Sequence, residues 1–496
     1  MSSKNIRLLF SVLALAVPGV SVQAGDALDS LKLQAGGIDL AIPAPSGQRL
    51  ENSPMYTRAR ADWQAANKLY SDPVFKPKKQ QRVDTAGSKL ILLQGFHWYA
   101  DDYWYHPPRG WWGVLADKAQ DVGRAGFDLV WFPPVSNGSY YPNQWYNLDS
   151  QWGKKDELVR AVKAMHSAGV KVVADVVLNH RNGLKDWADY VNPDWPTTVI
   201  VRNDEWQGSP KSLYDDEGQG DFGCRDLDHR DPIVQNDTKV FMRWLKNTIG
   251  FDGWRYDMVK GYPAYYVQMY NEASSPVFSV GEYYDTNRQM MTNWIDGTDS
   301  NPGKTDASTA FDFTTRYNLV GAVESERYEG LNDNGRPSGL IGWWPAKSVT
   351  FVESHDTSPR DENFMANASA EYRTQRLMGY AYILTHPGIP CVFWPHFYDW
   401  GQSAHDQIQN LINVRKRAGI TSTSRMAILA ATNELYAAVI DGENQRVVVK
   451  IGRNWGWNPG NGWDIAAYGE RYSVWTQNLK TAAPLNPSYT NDTAKY

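Results

Sequence analysis

The 496-residue sequence predicts an α/β fold: a (β/α)8 TIM barrel with an excursion domain after the third strand and a C-terminal antiparallel β-domain. Three observations lead there. Apolar strand-like runs alternate with amphipathic helical stretches from Lys89 onward, the pattern of a parallel sheet with crossover helices. Eight such units fill about 330 residues, which suits a closed (β/α)8 barrel. After Gly419 the rhythm changes to short alternating segments with no helices between them.

Taken in order, residues 1–24 have the form of a signal peptide. Lys4 and Arg7 begin it, the apolar run 8–17 is too short to span a bilayer as a mature helix, and Val22-Gln23-Ala24 offers a cleavage site. An N-terminal membrane anchor is the alternative. Residues 25–87 are an N-terminal extension of unknown role, with a short helix predicted at 55–70. Residues 88–419 hold the barrel, with strands predicted at 90–96, 128–134, 170–179, 250–257, 277–282, 309–313, 348–354 and 390–396. Helices include 154–168, where Leu158, Val159, Val162 and Met165 recur at helical spacing, then 234–249 and 406–417. The stretch between the third and fourth strands is too long for a simple loop. Residues 180–231, rich in Asp, Gly and Trp, are therefore assigned to the excursion domain. Residues 420–478, with strands at 427–431, 435–440, 446–451 and 472–475, form the C-terminal β-domain, and 479–496 a polar tail.

A net charge of −5 provides no basic patch for nucleic acid, and no later apolar run is long enough to cross a membrane. The chain is expected outside the cytoplasm, extracellular or periplasmic, with no membrane partner once the signal is cleaved. Cys224 and Cys391 are the only cysteines, too few for a disulfide scaffold; they either pair or remain buried free thiols. The 22 Trp and 28 Tyr residues suit a large core, and equally a surface that stacks on sugar faces.

The strand ends carry the chemistry. The third gives Asp175-Val-Val-Leu-Asn-His180, the fourth Arg255 and Asp257, the fifth Ser279-Val-Gly-Glu282, and the seventh Phe351-Val-Glu-Ser-His-Asp356. In a (β/α)8 barrel all four ends open on one mouth. Arg255 and Asp257 are two apart on one strand face, and the arginine is expected to hold the carboxylate ionised.

These four stretches, in this order, resemble the signature regions of the α-amylase family of retaining glycoside hydrolases. The stretches 250–261, Thr309-Ala-Phe-Asp-Phe-Thr-Thr315, Gly342-Trp-Trp-Pro-Ala-Lys347 and Gly379-Tyr-Ala-Tyr-Ile-Leu-Thr-His-Pro387 are similar to the plant-type branch. The resemblance implies Asp257 as nucleophile, Glu282 as acid/base and Asp356 as a third carboxylate holding the sugar's 2- and 3-hydroxyls. Retention needs the two working carboxyls about 5–5.5 Å apart. It also implies substrate-binding roles for Arg255, His180, His355, Lys260 and Tyr140, the last an aromatic platform; Trp98 and Asp101 are further candidates at the mouth. Trp343 and Trp344 are either an exposed sugar-stacking pair away from the cleft or ordinary packing.

The same resemblance implies a structural Ca²⁺ held by Asn179, Asp226 and the carbonyl of Gly261. A further carboxylate is expected from 215–221, where Asp216 and Glu217 compete and Asp221 serves an additional ion; the alternative is a solvated acidic loop. One departure stands out. The seventh signature usually reads Val-Asp-Asn-His-Asp and here reads Val352-Glu-Ser-His-Asp356, so Ser354 has lost an amide. The expected protein is a secreted, monomeric, endo-acting α-amylase cleaving α-1,4-glucosidic bonds of starch, glycogen or maltooligosaccharides with retention. A glucanotransferase or maltooligosaccharide-forming hydrolase on the same site is the rival, and a non-catalytic glucan-binding protein is the rival from another class.

Overall fold

A computed structural model describes residues 54–71, 84–101, 110–183, 186–219, 224–301, 304–359 and 367–479. The predicted signal peptide, most of the extension and all but the first residue of the tail lie outside these. Eight strands close into a barrel: β1 (Leu92–Gln94), β2 (Leu129–Phe132), β3 (Lys171–Val176), β4 (Gly253–Tyr256), β5 (Phe278–Gly281), β6 (Thr309–Phe311), β7 (Ser348–Phe351) and β8 (Ile389–Phe393). Each pairs in parallel with its neighbours, β1 joining both β2 and β8. Strands such as Leu-Val-Trp-Phe in β2 are buried at every position, because the barrel interior covers one side and the helices the other.

The ladders are shorter than the predicted strands, and this creates the mouth. The ladder stops at Val176, Tyr256, Gly281 and Phe351; Asp175 and Arg255 lie one residue before its end, and His180, Asp257, Glu282, His355 and Asp356 follow within one to five positions. The chain stays anchored there by single backbone bonds: Asp257 N–H donates to Val176 O at 3.1 Å and Glu282 N–H to Tyr256 O at 2.9 Å. The prediction carries the eighth strand three residues too far. It runs 389–393, and Trp394 begins a short helix, Trp394–Tyr398, with Pro395 in its first turn, where a missing N–H costs nothing.

Among the outer helices, α1 (Pro54–Tyr70) comes from the N-terminal extension, and α2 (Gly110–Ala125) and α3 (Lys155–Ser167) follow β1 and β2. Helix α4 (Pro232–Trp244) begins at Asp231, whose side chain accepts from Ile233 N–H. It continues as a π-turn through Ile249 and stops at Gly250, whose φ of 110° suits glycine alone. Then come α5 (Ala264–Ser274), α6 (Arg288–Gly297), α7 (Phe313–Ser325), α8 (Ala370–Thr385), the short helix just named as α9, and α10 (Gln402–Ala418).

Between β3 and α4 the excursion region has little regular structure. A two-residue ribbon pairs His180 with Asp226 and Arg181 with Arg225. The C-terminal sheet has five strands, not the four expected: β9 (Met426–Ala431), β10 (Leu435–Asp441), β11 (Gln445–Gly452), β12 (Asp464–Tyr468) and β13 (Tyr472–Asn478), in the order 9-10-11-13-12. The overlooked β12 is an edge strand whose Ile465 and Tyr468 are exposed, so it lacks the half-buried alternation that marks a strand. Cys224 and Cys391 are both buried free thiols. No helix among the described residues is long and apolar enough to cross a membrane.

Helix α1 is bound to the barrel rather than hanging beside it. Ala66 and Tyr70 join the main core, the Tyr70 hydroxyl lies 2.9 Å from Thr248 Oγ1, Arg243 donates to Tyr70 O at 2.7 Å, and Lys155 meets Asp62 at 2.5 Å. Replacing Tyr70 by Ala should cost about 3–5 kcal/mol, the range for deleting a buried aromatic ring, read as a lowered urea midpoint.

Candidate active site

The centre of the mouth is a single cation. Parallel register sets Arg255 beside Asp175 on β3, so both side chains leave the sheet on the same side. Arg255 is 1% exposed. Its Nη1 donates to Asp175 Oδ1 at 2.9 Å and to Asp257 Oδ1 at 2.5 Å, and its Nη2 lies 2.9 Å from Glu282 Oε2. One planar guanidinium therefore holds the Asp257 and Glu282 carboxyls on adjacent nitrogens, which brings them close together over the strand ends. The ring of Trp131 lies 4.8 Å beneath the guanidinium carbon.

The remaining donors complete the set. Trp131 Nε1–H and the Tyr140 hydroxyl donate to Asp175 Oδ2 at 3.1 and 2.9 Å, and Met258 N–H donates to Glu282 Oε2 at 3.0 Å. Burial pushes Glu282 up to about 8, against the pull of Arg255 and with further upward pushes from Asp257 and Asp356. Asp257 and Asp175 move upward for the same first reason. The sequence expectation of an Asp257 held low by its arginine is thus corrected. Desolvation outweighs a cation that is shared among three carboxyls.

Rings form the adjoining wall. Trp98, Tyr140 and His355 lie nearly parallel: Tyr140 and His355 at 5.2 Å and 11°, Trp98 and Tyr140 at 5.9 Å and 12°. The Gln94 amide donates to His355 Nδ1 at 3.0 Å, so Nε2 carries the proton and faces Asp356 Oδ2 at 3.2 Å. His180 Nε2–H donates to Tyr140 O at 2.8 Å, and burial lowers its pKa, keeping it neutral. Lys260 pairs with Asp285 at 2.7 Å and sits over Tyr283.

A family model of the α-amylase catalytic domain matches residues 109–396, and one of the α-amylase C-terminal β-sheet domain matches 417–476. The chain belongs to the α-amylase family. Probable alpha-amylase 2 of Arabidopsis thaliana is 35% identical over 412 residues, which cover 78% of this chain and 93% of that protein. The glucan 1,4-alpha-maltotetraohydrolase of Stutzerimonas stutzeri is 29% identical, over 77% of this chain and 71% of its own length. The fold is shared with the solved α-amylase of Geobacillus thermoleovorans, at 17% identity and a TM-score of 0.57 covering 81% of this chain and 100% of that one. The protein is accordingly a glycoside hydrolase of this family, close to the plant α-amylases.

The residues that the α-amylase resemblance points to for calcium lie together in part. Asn179 Nδ2 donates to Asp226 Oδ1 at 3.1 Å. Its Oδ1 rests so close to Gly261 that a Cβ there would come within 1.7 Å of it, so only glycine brings this backbone alongside. Gln219 N–H donates to Lys260 O at 2.8 Å, folding the acidic loop onto the same spot. Glu217 is turned aside, 3.2 Å from the Tyr266 hydroxyl and 3.4 Å from Arg230; Asp216 accepts from Gly218 N–H at 3.0 Å. Asp221 lies outside the described residues. Among the described residues no three His, Cys, Asp or Glu side chains gather as a metal site, and the Asn179–Asp226–Gly261 set contains one carboxylate with an amide and a carbonyl.

Trp343 and Trp344 are not an exposed pair. Trp344 is 6% exposed within the core, and the Arg288 guanidinium covers the ring of Trp343 at 3.9 Å. Gln94, Trp131 and the role of Asp175 were missed by sequence reasoning. Asp175 had a visible signal, a lone charge inside the apolar run Val172-Val-Ala-Asp-Val176; the other two become recognisable only through their partners.

Glu282 has a measurable consequence for stability. Its ordinary value is 4.5 and its folded value about 8, so between these the folded protein keeps a proton that the unfolded chain has lost. Stability should therefore fall as pH rises through this window. Glu282→Gln should remove that part of the decline, giving a melting temperature above wild type at pH 8 and a smaller difference at pH 4.5.

Proposed function

We propose that this protein is an exported, endo-acting α-amylase that hydrolyses α-1,4-glucosidic bonds of starch or glycogen with retention. The observation that carries this reading is the Arg255 guanidinium holding Asp257 and Glu282 side by side at the barrel mouth. Retaining hydrolysis calls for two carboxyls at short range. Asp257 attacks the anomeric carbon while Glu282, kept protonated by burial, gives its proton to the departing oxygen. Glu282, now a carboxylate, then takes a proton from water, whose oxygen attacks the same carbon and releases Asp257. Asp356, His355 and His180 hold the ring's hydroxyls, and Tyr140 lies against its face. Export rests on residues 1–24, and the enzyme acts as a monomer.

A structural Ca²⁺ belongs to this reading. Asn179, Asp226 and the Gly261 carbonyl supply the hard oxygens such an ion takes, with Asp216 or Glu217 to complete the set and Asp221 for an additional ion. The ion would tie the excursion region to the barrel and take no part in proton transfer. Similarity to a maltotetraohydrolase favours a second reading, a hydrolase releasing short products of fixed length. Chromatography of early products distinguishes the two, since an endo-acting enzyme first releases a broad range of lengths.

Soluble starch with the wild type should release reducing ends whose fresh anomer is α by NMR. Asp257→Asn should abolish release, and Glu282→Gln should lower kcat by about 10²–10⁴-fold, the usual worth of a general acid. A β-anomer would overturn retention. Calcium at about 100 times its Kd should add about 2.7 kcal/mol of stability in the wild type. Asp226→Asn should abolish most of that gain, measured as melting temperature with and without chelator.

A further inference from the structure

We infer that Glu353 and Arg376 form a positioning pair that fixes the sugar-holding end of β7, an inference that rests on the glucan-hydrolase reading above. Glu353 lies three residues before Asp356 and two before His355, yet it faces away from the mouth, 2% exposed among the outer helices. Its Oε1 accepts from Arg376 Nε at 2.7 Å and from the Tyr372 hydroxyl at 2.5 Å, both on α8. Its Oε2 faces His396 Nε2 on α9 at 3.3 Å. His396 is fixed in turn: the Tyr380 hydroxyl lies 2.8 Å from its Nδ1, and its ring stacks on Trp400 at 3.8 Å.

The backbone of the same segment is held at both ends. Arg316 on α7 donates from Nε to Val352 O at 3.2 Å and from Nη2 to Thr357 O at 3.3 Å, bracketing 353–356. Within the bracket, Ser354 N–H donates to Thr357 Oγ1 at 2.9 Å and Asp356 N–H reaches Ser354 Oγ at 3.3 Å. Ser354 thus caps a tight turn, and the turn's orientation is set by Glu353 from behind. His355 and Asp356 leave this turn toward the sugar. A buried carboxylate that accepts from a guanidinium Nε and a phenol hydroxyl is directional, whereas an apolar contact at Glu353 would let the turn rotate. Arg376 has a second, outward partner in Glu324 at 2.7 Å, whose side chain is 47% exposed, so that contact lies off the line to the site.

The test measures kcat and KM on maltoheptaose, together with melting temperature, for wild type, Glu353→Gln, Glu353→Asp, Tyr372→Phe and Glu324→Gln. Hydrogen bonds to the ring's hydroxyls tighten in the transition state, so mispositioning lowers kcat more than it raises KM. Glu353→Gln is expected to lose at least tenfold in kcat with less than a threefold change in KM at a temperature well below its melting point. Glu353→Asp should recover part of that loss, and Glu324→Gln should match wild type. If Glu353→Gln fails to fold, Tyr372→Phe is decisive, with an expected threefold or greater loss in kcat. Unchanged kcat in the folded variants, or an effect on KM alone, overturns the inference and leaves the hydrolase reading intact. Absence of turnover by the wild type overturns both.

Discussion

The site is organised by one buried positive charge. Arg255 is enclosed by Asp175, Asp257 and Glu282, and with Asp356 nearby there are more carboxyls than one guanidinium neutralises. Burial raises these carboxyls, the surplus negative charge adds to it, and Glu282 rises furthest into the neutral range. Burial raises acid and nucleophile alike, and the cation they share pulls both back down. The Asp175 side chain is fully buried in this arrangement; it holds Arg255 and accepts from Tyr140 and Trp131. Parallel register makes this possible, since Asp175 and Arg255 are direct neighbours across two strands.

Around that centre the chain is braced from outside the barrel. Arg181, next to His180, is fully buried and donates to the carbonyls of Pro193, Asn143 and Val191, with its guanidinium over Trp195 at 4.7 Å. The loop it grips is reached from the other side by α1, where Arg60 meets Asp194 at 2.8 Å and Asn192 donates to Tyr56 O at 3.4 Å. The N-terminal helix therefore touches the loop that Arg181, next to His180, grips. On the opposite side, Glu353 and Arg376 connect β7 to α8 and α9. Both arrangements place full charges out of water, where geometry rather than strength is the gain.

Much of the fold was legible in order and type. Eight apolar runs separated by helices have few alternatives to a closed parallel barrel, and the strand-end residues follow because such barrels expose one set of ends. Boundaries were less legible. The runs 170–179 and 348–354 continue past the last ladder bond, because apolar character marks burial while only pairing marks a strand. Residues 394–396 look like strand and form helix once Pro395 follows the last paired residue. Strand β12 was invisible because an exposed edge carries no burial pattern. Trp343-Trp344 read equally as a surface platform or as packing, and burial of Trp344 in the core decided for packing.

By itself the sequence determined which chemistry is present: carboxyls, imidazoles and one arginine at four strand ends, in the order of the α-amylase family. Residue type and chain order suffice for that, because side-chain chemistry is local and the barrel's topology orders its strand ends. Only the tertiary structure decided how those groups are shared. Burial, only partly offset by one arginine divided among three acids, turns an expected low carboxyl value for Asp257 into a raised one. A glutamate that reads as part of a motif faces the outer helices instead of the mouth. Both outcomes depend on distances between residues far apart in the chain, Arg255 with Asp175 and Glu353 with His396. No local pattern in the sequence encodes them, because they arise from packing.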